Sequence, residues 1–495
     1  MTARQAGFWK RHRWVRWTCF GLLAALAMIA GAVVIMARRA EPVLRARIVQ
    51  GLEDRFHARV ELDSFHLTLR DGLWADGKGL RIWPPAQVVG VAVPGTAVPA
   101  VPLIRLDEFQ FHVPFNYRLG YKPGQAIHVS AVQLKGLKVD VPPRSHFEHG
   151  AQETKGTDQE SARQTNQGTG RLRFQVVGVE CTGAQLTIET SKPGKLPLQF
   201  AIAHLKLTGT TSGIGVSQVM SFDAELTNPR PVGTIHTTGR FGPWVVEDPG
   251  ESPITGDYRF ERADLSGFKG IAGILSSTGH YEGTLRNLEV DGVTETPDFR
   301  LTHFGTAVPL HTKFHARVDG TNGDTWLEPV EATLGNSHFW ARGQIVRVAA
   351  VPDGKGGQRA GGHDIALTVN VDRGRIEDFL RLASKLGSPL LTGALSMKAG
   401  LEIRPGPVPI HERLKLTGTF DLNDVQVASA KIQDRIAELS ARGLGRPKDA
   451  KSGGDVRSTM KGNFQMAGGV VTLPALEYTV PGAVIDLKGS YGVEG

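Results

Sequence analysis

In the stretch TKFHARVD, an extended backbone puts Phe314, Ala316 and Val318 on one side and Lys313, His315, Arg317 and Asp319 on the other. Successive residues of a β-strand point to opposite faces, so this two-residue period defines the element and its surroundings together. The pattern recurs along the chain. Ile365, Leu367, Val369 and Val371 oppose Thr368, Asn370 and Asp372, while Leu414, Leu416, Phe420 and Leu422 oppose Lys415, Thr417, Thr419 and Asp421. Leu137, Val139 and Val141 alternate with Lys138 and Asp140, and Met460, Phe464 and Met466 with Lys461, Asn463 and Gln465. One face is apolar and the other wet. That describes antiparallel strands, because parallel strands are covered on both faces and read as continuous apolar blocks. Alternation alone leaves open what covers the apolar face: a second sheet, a closed barrel or nothing.

Composition agrees with a turn-rich, mainly β chain. Sixty glycines and 28 prolines are scattered through 495 residues, and long helical patterns are few. The only cysteines are Cys19, in an apolar run, and Cys181, so strand pairing and apolar packing must brace the fold without an intramolecular disulfide. Three short helices are expected. One opens at Glu41-Pro42 with Leu44, Ile48, Leu52 and Phe56 on one face. The second runs from about Arg375 to Leu386 on a stripe of Ile376, Phe379, Leu380, Ala383 and Leu386. A third covers about Ala428 to Arg442 with Ile432, Ile436 and Leu439, ending at Gly443.

Residues 18–37, TCFGLLAALAMIAGAVVIMA, are uncharged and mostly apolar, with Lys10, Arg11, Arg13 and Arg16 before them and Arg38 and Arg39 after. Twenty residues at ~1.5 Å rise match a ~30 Å hydrocarbon core, and the basic pair directly after the run disfavours a cleaved signal peptide. A single-pass transmembrane anchor is expected, with those basic residues at the membrane surface. Seven Lys/Arg and no acidic residue fall in residues 1–40, which leaves a formal +1 of the total +8 for everything after them. The excess charge suits anionic headgroups and excludes nucleic acid as the partner.

The chain then divides into a basic cytoplasmic segment (1–17), the anchor (18–37), an N-terminal β module (41–142), a disordered insertion with almost no apolar residue (143–170), a repeated antiparallel sheet (171–400) and a C-terminal module (401–495). PDGKGGQRAGG, near 352–362, and GRPKDAKSGG, near 445–454, read as hairpin loops.

Catalytic signatures are absent from the sequence: there is no GxSxG elbow, phosphate loop, HExxH or paired CxxC. His311 and His315 have the i, i+4 spacing that chelates zinc on a helix, but on a strand such residues stand ~13 Å apart. Asp319, Asp324 and Glu328 do not match a calcium loop, and Glu377-Asp378 reads as the acidic start of a helix. Neither an enzyme nor a metal or cofactor is expected.

Two segments carry a resemblance. Ala46 to Ile82, ARIVQGLEDRFHARVELDSFHLTLRDGLWADGKGLRI, sets an amphipathic helix before strands bearing two Gly-Leu steps. Leu416 to Gly445 holds a Leu-Ser-x-x-Gly stretch, Leu439 to Gly443, and Gly462 to Gly495 holds Val-Pro-Gly-Ala, Val480 to Ala483. Ordered after an N-terminal anchor, these resemble the entry and C-terminal modules of the AsmA-like family, relatives of TamB and YhdP. Ser277 to Leu301 is similar to the family's internal strands. The resemblance implies a protein of the Gram-negative inner membrane with its bulk in the periplasm. It implies an elongated twisted antiparallel β-sheet trough with a few short helices, whose apolar groove carries phospholipid in outer-membrane biogenesis. The groove residues would be Phe314, Ala316, Val318, Ile365, Leu367, Val369, Val371, Leu414, Leu416, Phe420, Leu422, Met460 and Phe464. Outer-membrane or periplasmic proteins are the partners it implies, and a structural or assembly factor without lipid conduction is the alternative. The stop at Gly495, straight after a strand pattern, leaves a truncated C-terminal module open.

Overall fold

The computed structural model describes residues 41–492 apart from 55–57, 70–71, 84–100, 115–126, 130–131, 142–173, 177, 190–196, 210–217, 246–247, 269, 303–304, 349–350, 353–357, 360, 384–388, 407, 409 and 447–455. The expected anchor at 18–37 and the insertion at 143–170 lie outside these residues. Among the described residues no helix is long and apolar enough to cross a membrane. The fold is mainly β, with 21 strands in one hydrogen-bonded sheet. Two compact units share the chain, one of residues 1–137, 154–181 and 211–214, the other of the remainder.

In the first unit β1 (Val60–Leu69), β2 (Gly72–Ile82) and β3 (Ile104–Pro114) form an antiparallel meander. Leu62, Phe65, Ala75, Leu106 and Phe109 form a buried core, with the strict alternation interrupted between Leu62 and Phe65 beside the positive-φ Gly79. Helix α1, residues 41–54, is the expected amphipathic helix and lays Leu44, Ile48 and Val49 on that core. Glu41 Oε1 accepts from the Leu67 amide at 2.9 Å, and the Arg45 guanidinium donates to the Leu62 carbonyl. Further along, β4 (Ile127–Val129) pairs in parallel with β6 (Phe174–Val176), and β5 (Val132–Val141) and β7 (Gly178–Ile188) are long strands of the main sheet.

The second unit is one long antiparallel meander. It comprises β8 (Leu198–Thr208), β9 (Met220–Pro229), β10 (Val232–Phe241), β11 (Pro253–Asp264), β13 (Ile274–Thr284), β14 (Asn287–Leu301), β15 (Val308–Asp319), β16 (Asp324–Leu334), β17 (Ser337–Val348), β20 (Gly362–Arg375), β21 (Leu391–Ile403), β22 (Leu414–Val427), β23 (Ser458–Ala467), β24 (Val470–Val480) and β25 (Ala483–Gly492). Each pairs with the next. The two-residue β12 (Ile271–Ala272) adds to β14, and β18 (Val351–Pro352) with β19 (Gln358–Arg359) makes the small hairpin expected near 352–362. The sheet is open: among the described residues β1 pairs only with β2 and β25 only with β24.

Antiparallel connections alternate between the two ends of the strands, so the ends form two unlike edges. One edge carries α2 (Ile376–Ala383) after β20, α4 (Ala430–Gly443) after β22, and the turns at 335–336 and 481–482. The other carries turns at 285–286, 320–323 and 468–469 and the single helical turn α3 (Ile410–Arg413). A buried core of this unit lies at the helical edge. There Ile376 and Phe379 of α2 close over Val371, Leu395, Leu422 and Val425. Asp378, fully buried, accepts from the Asn336 amide at 2.9 Å and the Ser337 hydroxyl at 2.8 Å, tying α2 to the β16–β17 turn.

At the far end of the same edge Ser440 of α4 donates to the Pro481 carbonyl at 2.8 Å. A Cβ on Gly443 would lie 2.3 Å from the Gly482 carbonyl oxygen. The two short stretches behind the C-terminal resemblance thus meet. One expectation needs correction, because Ile432 is 50% exposed and does not share the packed face of α4. The small side chain of Ser440 sets that face instead, by letting the helix approach the β24–β25 turn.

Candidate functional site

Residues that face each other across an antiparallel ladder have side chains on the same side of the sheet. Followed strand by strand, the registers of the second unit draw unbroken rows across fifteen strands. One row runs Leu207, Phe222, Gly239, Gly256 and Tyr281 from β8 to β13. It continues through Val290, Ala316, Leu327 and Gly343 to β17. It ends Leu367, Leu401, Leu416, Met466, Val471 and Tyr491 at β25. A parallel row nearer the helical edge runs from Ile202 and Leu226 through Ile235, Phe260, Ser277, Thr294, Thr312, Ala332, Phe339, Val371, Met397 and Phe420 to Gly462, Leu476 and Leu487. At ~4.8 Å per strand, fourteen spacings make each row roughly 67 Å long, measured along the sheet.

Among the described residues of the second unit no other layer buries these rows along most of their length. Of the first row only Gly256 and Ala316 are buried. The thirteen residues expected from the sequence all lie on this apolar side. Ten are half-buried: Phe314, Val318, Ile365, Leu367, Val369, Leu414, Leu416, Phe420, Met460 and Phe464. Only Ala316, Val371 and Leu422 are buried, the last two under the helical edge. Side chains in the middle of a sandwich would be covered by a second sheet about 10 Å away.

Glycine shapes this surface, which the alternation reading missed because it counted glycine as neutral. Tyr258 lies across Gly279 and Gly292, where an added Cβ would fall 2.8 and 2.6 Å from its ring and hydroxyl. Phe420 and Phe464 cross Gly462 and Gly418 in the same way, their ring centroids 6.3 Å apart. Rings of large apolar area therefore lie along the sheet instead of standing up from it. Aromatic residues set beside glycines within alternating strands, as in STGHYEG, were the available signal.

The opposite face is charged and cross-paired. Asp257, His280, Asp291, His315 and Glu328 are successive register partners from β11 to β16. His280 Nδ1 lies 2.9 Å from Asp257, His315 Nδ1 3.0 Å from Asp291, and His311 Nδ1 2.6 Å from Glu295. His311 and His315 each face a carboxylate on the neighbouring strand. Among the described residues no group of three or more His, Cys, Asp or Glu has the geometry to hold a metal ion. Asp319 organises its own turn by accepting from the Thr321 amide at 2.9 Å and from Asn322 Nδ2 at 2.6 Å. Glu377 accepts from Arg375 Nε at 2.8 Å and the Gly393 amide at 3.2 Å. Burial raises the Glu377 pKa, but its own and the Gly393 backbone amides and Arg375 outweigh that effect and leave it lowered. These acids have structural partners.

The apolar side also carries hydroxyls. Tyr258 Oη lies 3.1 Å from Ser277 Oγ, Tyr281 Oη 2.7 Å from Thr237 Oγ1, and Thr294 Oγ1 2.6 Å from Thr312 Oγ1. Burial pushes both phenols above their ordinary pKa, against their hydrogen bonds with Ser277 and Thr237. Comparison of the chain with protein-family models, with curated proteins and with solved structures gives no match.

Proposed function

We propose that this chain is an AsmA-like envelope protein that guides the acyl chains of phospholipids along the apolar side of its sheet. In this reading residues 18–37 anchor it in the inner membrane, the sheet stands in the periplasm as a trough, and the activity is transport, not catalysis. The observation that carries the reading is the pair of rows, traced over fifteen strands, apolar apart from glycines and the hydroxyls on β13 to β15, and left only half-buried. Monomeric soluble proteins rarely show contiguous apolar patches beyond ~600 Å², and surfaces larger than that mark interaction or ligand sites. An acyl chain supplies the missing apolar partner at about 0.8 kcal/mol per buried methylene. It needs no recognition motif, only a path. Ring-on-glycine packing keeps that path low, and α2 and α4 wall one edge of it.

The test is the lipid content of the full chain purified in mild detergent. Glycerolipid retained in defined stoichiometry and displaced by added lipid supports the reading; a lipid-free chain with these rows intact contradicts it.

A second reading, assembly of outer-membrane proteins by strand addition, draws on β25. Val484 and Leu487 on this edge strand are 62% and 47% exposed, and exposed strand edges accept other strands. Lipid occupancy independent of added strand peptides separates the two.

A further inference from the structure

The lining of the apolar side changes character on β11 to β15. Tyr258 with Ser277, and Thr294 with Thr312, form two hydroxyl pairs, and Ser277 and Thr294 face each other directly across β13 and β14. Each pair holds two protons and uses one in its mutual bond. The other proton of each pair has no acceptor among the described residues. A nearby pair behaves differently: Tyr281 donates to Thr237, and Thr237 donates to the Asp257 carbonyl at 2.9 Å, so both protons are placed. Two adjacent donors are therefore left facing a surface that is otherwise apolar. Either hydroxyl of the Tyr258–Ser277 pair can donate to the other, and when the buried Ser277 donates, the proton of the half-buried Tyr258 phenol is the one turned to the surface.

Charge narrows the choice of ligand. The ionisable residues of these strands that pair with one another, Asp257, His280, Asp291 and His315, sit on the other face. Among the described residues no cation bonds to either hydroxyl pair; a phosphate there would be desolvated without compensation, whereas a neutral carbonyl needs only a donor.

Resting on the conduit reading above, we infer that the Tyr258–Ser277 and Thr294–Thr312 pairs form a station for the two ester carbonyls of a diacyl lipid. Beyond the station the apolar rows continue through eight strand spacings from β15 to β25, roughly 38 Å at ~4.8 Å each. A single leaflet's share of a ~30 Å hydrocarbon core is about 15 Å, so both tails fit on that stretch while the glycerol region rests on the hydroxyls. Lipids would pause there in one register.

The test offers the purified full chain equal amounts of dioleoylglycerol and its diether analogue, which has the same tails and glycerol but lacks the carbonyls. Bound lipid is counted by mass spectrometry. Wild type should retain the diester in about tenfold excess, the effect of two ordinary hydrogen bonds. The Thr294→Val/Thr312→Val and Tyr258→Phe/Ser277→Ala variants should each lose about threefold of that preference. All four changes together should bring it to parity with diether uptake unchanged. Parity in wild type, or a preference that survives all four changes, overturns the station and leaves the conduit standing. Should the fourfold variant fail to fold, the two double variants decide. A wild type that retains neither probe contradicts the conduit itself, and the station with it.

Discussion

Phe464 on β23 lies with its ring over Gly418, the residue it faces on β22; a Cβ at 418 would sit 2.6 Å from the Phe464 Cζ and 2.5 Å from the Lys398 carbonyl oxygen. Phe420 and Gly462, the next facing pair, repeat the contact with the strands exchanged. Two rings thus lie flat where four upright side chains would crowd. Gly418→Val should cost about 1–3 kcal/mol by forcing Phe464 and the backbone apart. Urea denaturation of the variant checks this, and an unchanged midpoint would mean that the ring is free to leave.

Asp378 fastens α2 to the β16–β17 turn through the Asn336 amide and the Ser337 hydroxyl. Asp378→Ala removes the acceptor of the Asn336 amide and the nearer acceptor of the Ser337 hydroxyl, which also reaches the Arg375 carbonyl at 3.3 Å, and should destabilise the protein by about 2 kcal/mol. Asp378→Asn keeps an acceptor oxygen and should cost less. Equal losses in the two variants would point to packing instead of these hydrogen bonds.

Burial raises the pKa of Tyr258 and Tyr281 against their hydrogen bonds with Ser277 and Thr237, and the Asp257 charge adds to the rise at Tyr281. A raised folded-state pKa means that the native state holds its proton longer than the unfolded chain. Stability from this source is complete below the ordinary tyrosine pKa of ~10 and falls as the pH rises from there through the folded-state values. Tyr258→Phe/Tyr281→Phe should flatten that alkaline decline. Unfolding midpoints of wild type and variant across the alkaline range make the comparison, and parallel curves would contradict it.

Much of the second unit was legible in the sequence because strand alternation is a local property. The stretches around Phe314, Ile365, Leu414 and Met460 became strands with the expected residues on one face. Register was not legible. Which residue faces Leu416 depends on turns and bulges far from it, so the rows joining Leu401, Leu416 and Met466 appear only in three dimensions. Helical periodicity located α4 but placed Ile432 on its packed side, since a stripe of apolar residues says nothing of the glycine and serine contacts that set the approach. The hydroxyl pairs were hidden for the same reason: Ser277 on β13 and Thr312 on β15 are separated by the whole of β14, yet both flank Thr294 in one row.

Topology is a separate test of the proposed location. A reporter active only in the cytoplasm, fused after residue 170, should be silent if the chain beyond residues 18–37 is periplasmic. Full activity would reverse the orientation.

Leu416 and Lys415 are adjacent on β22 and point to opposite faces, one half-exposed in the apolar row and the other exposed. The most direct measurement is of lipid content and unfolding midpoint on the same purified Leu416→Asp protein, with Lys415→Asp as its control. Leu416→Asp should lose most of its bound lipid and keep its fold, because the new carboxylate remains hydrated until an acyl chain tries to cover it. Lys415→Asp should change neither quantity. A collapsed midpoint in Leu416→Asp would show that the row is a covered core, and full lipid occupancy in a folded Leu416→Asp protein would show that acyl chains do not travel along it.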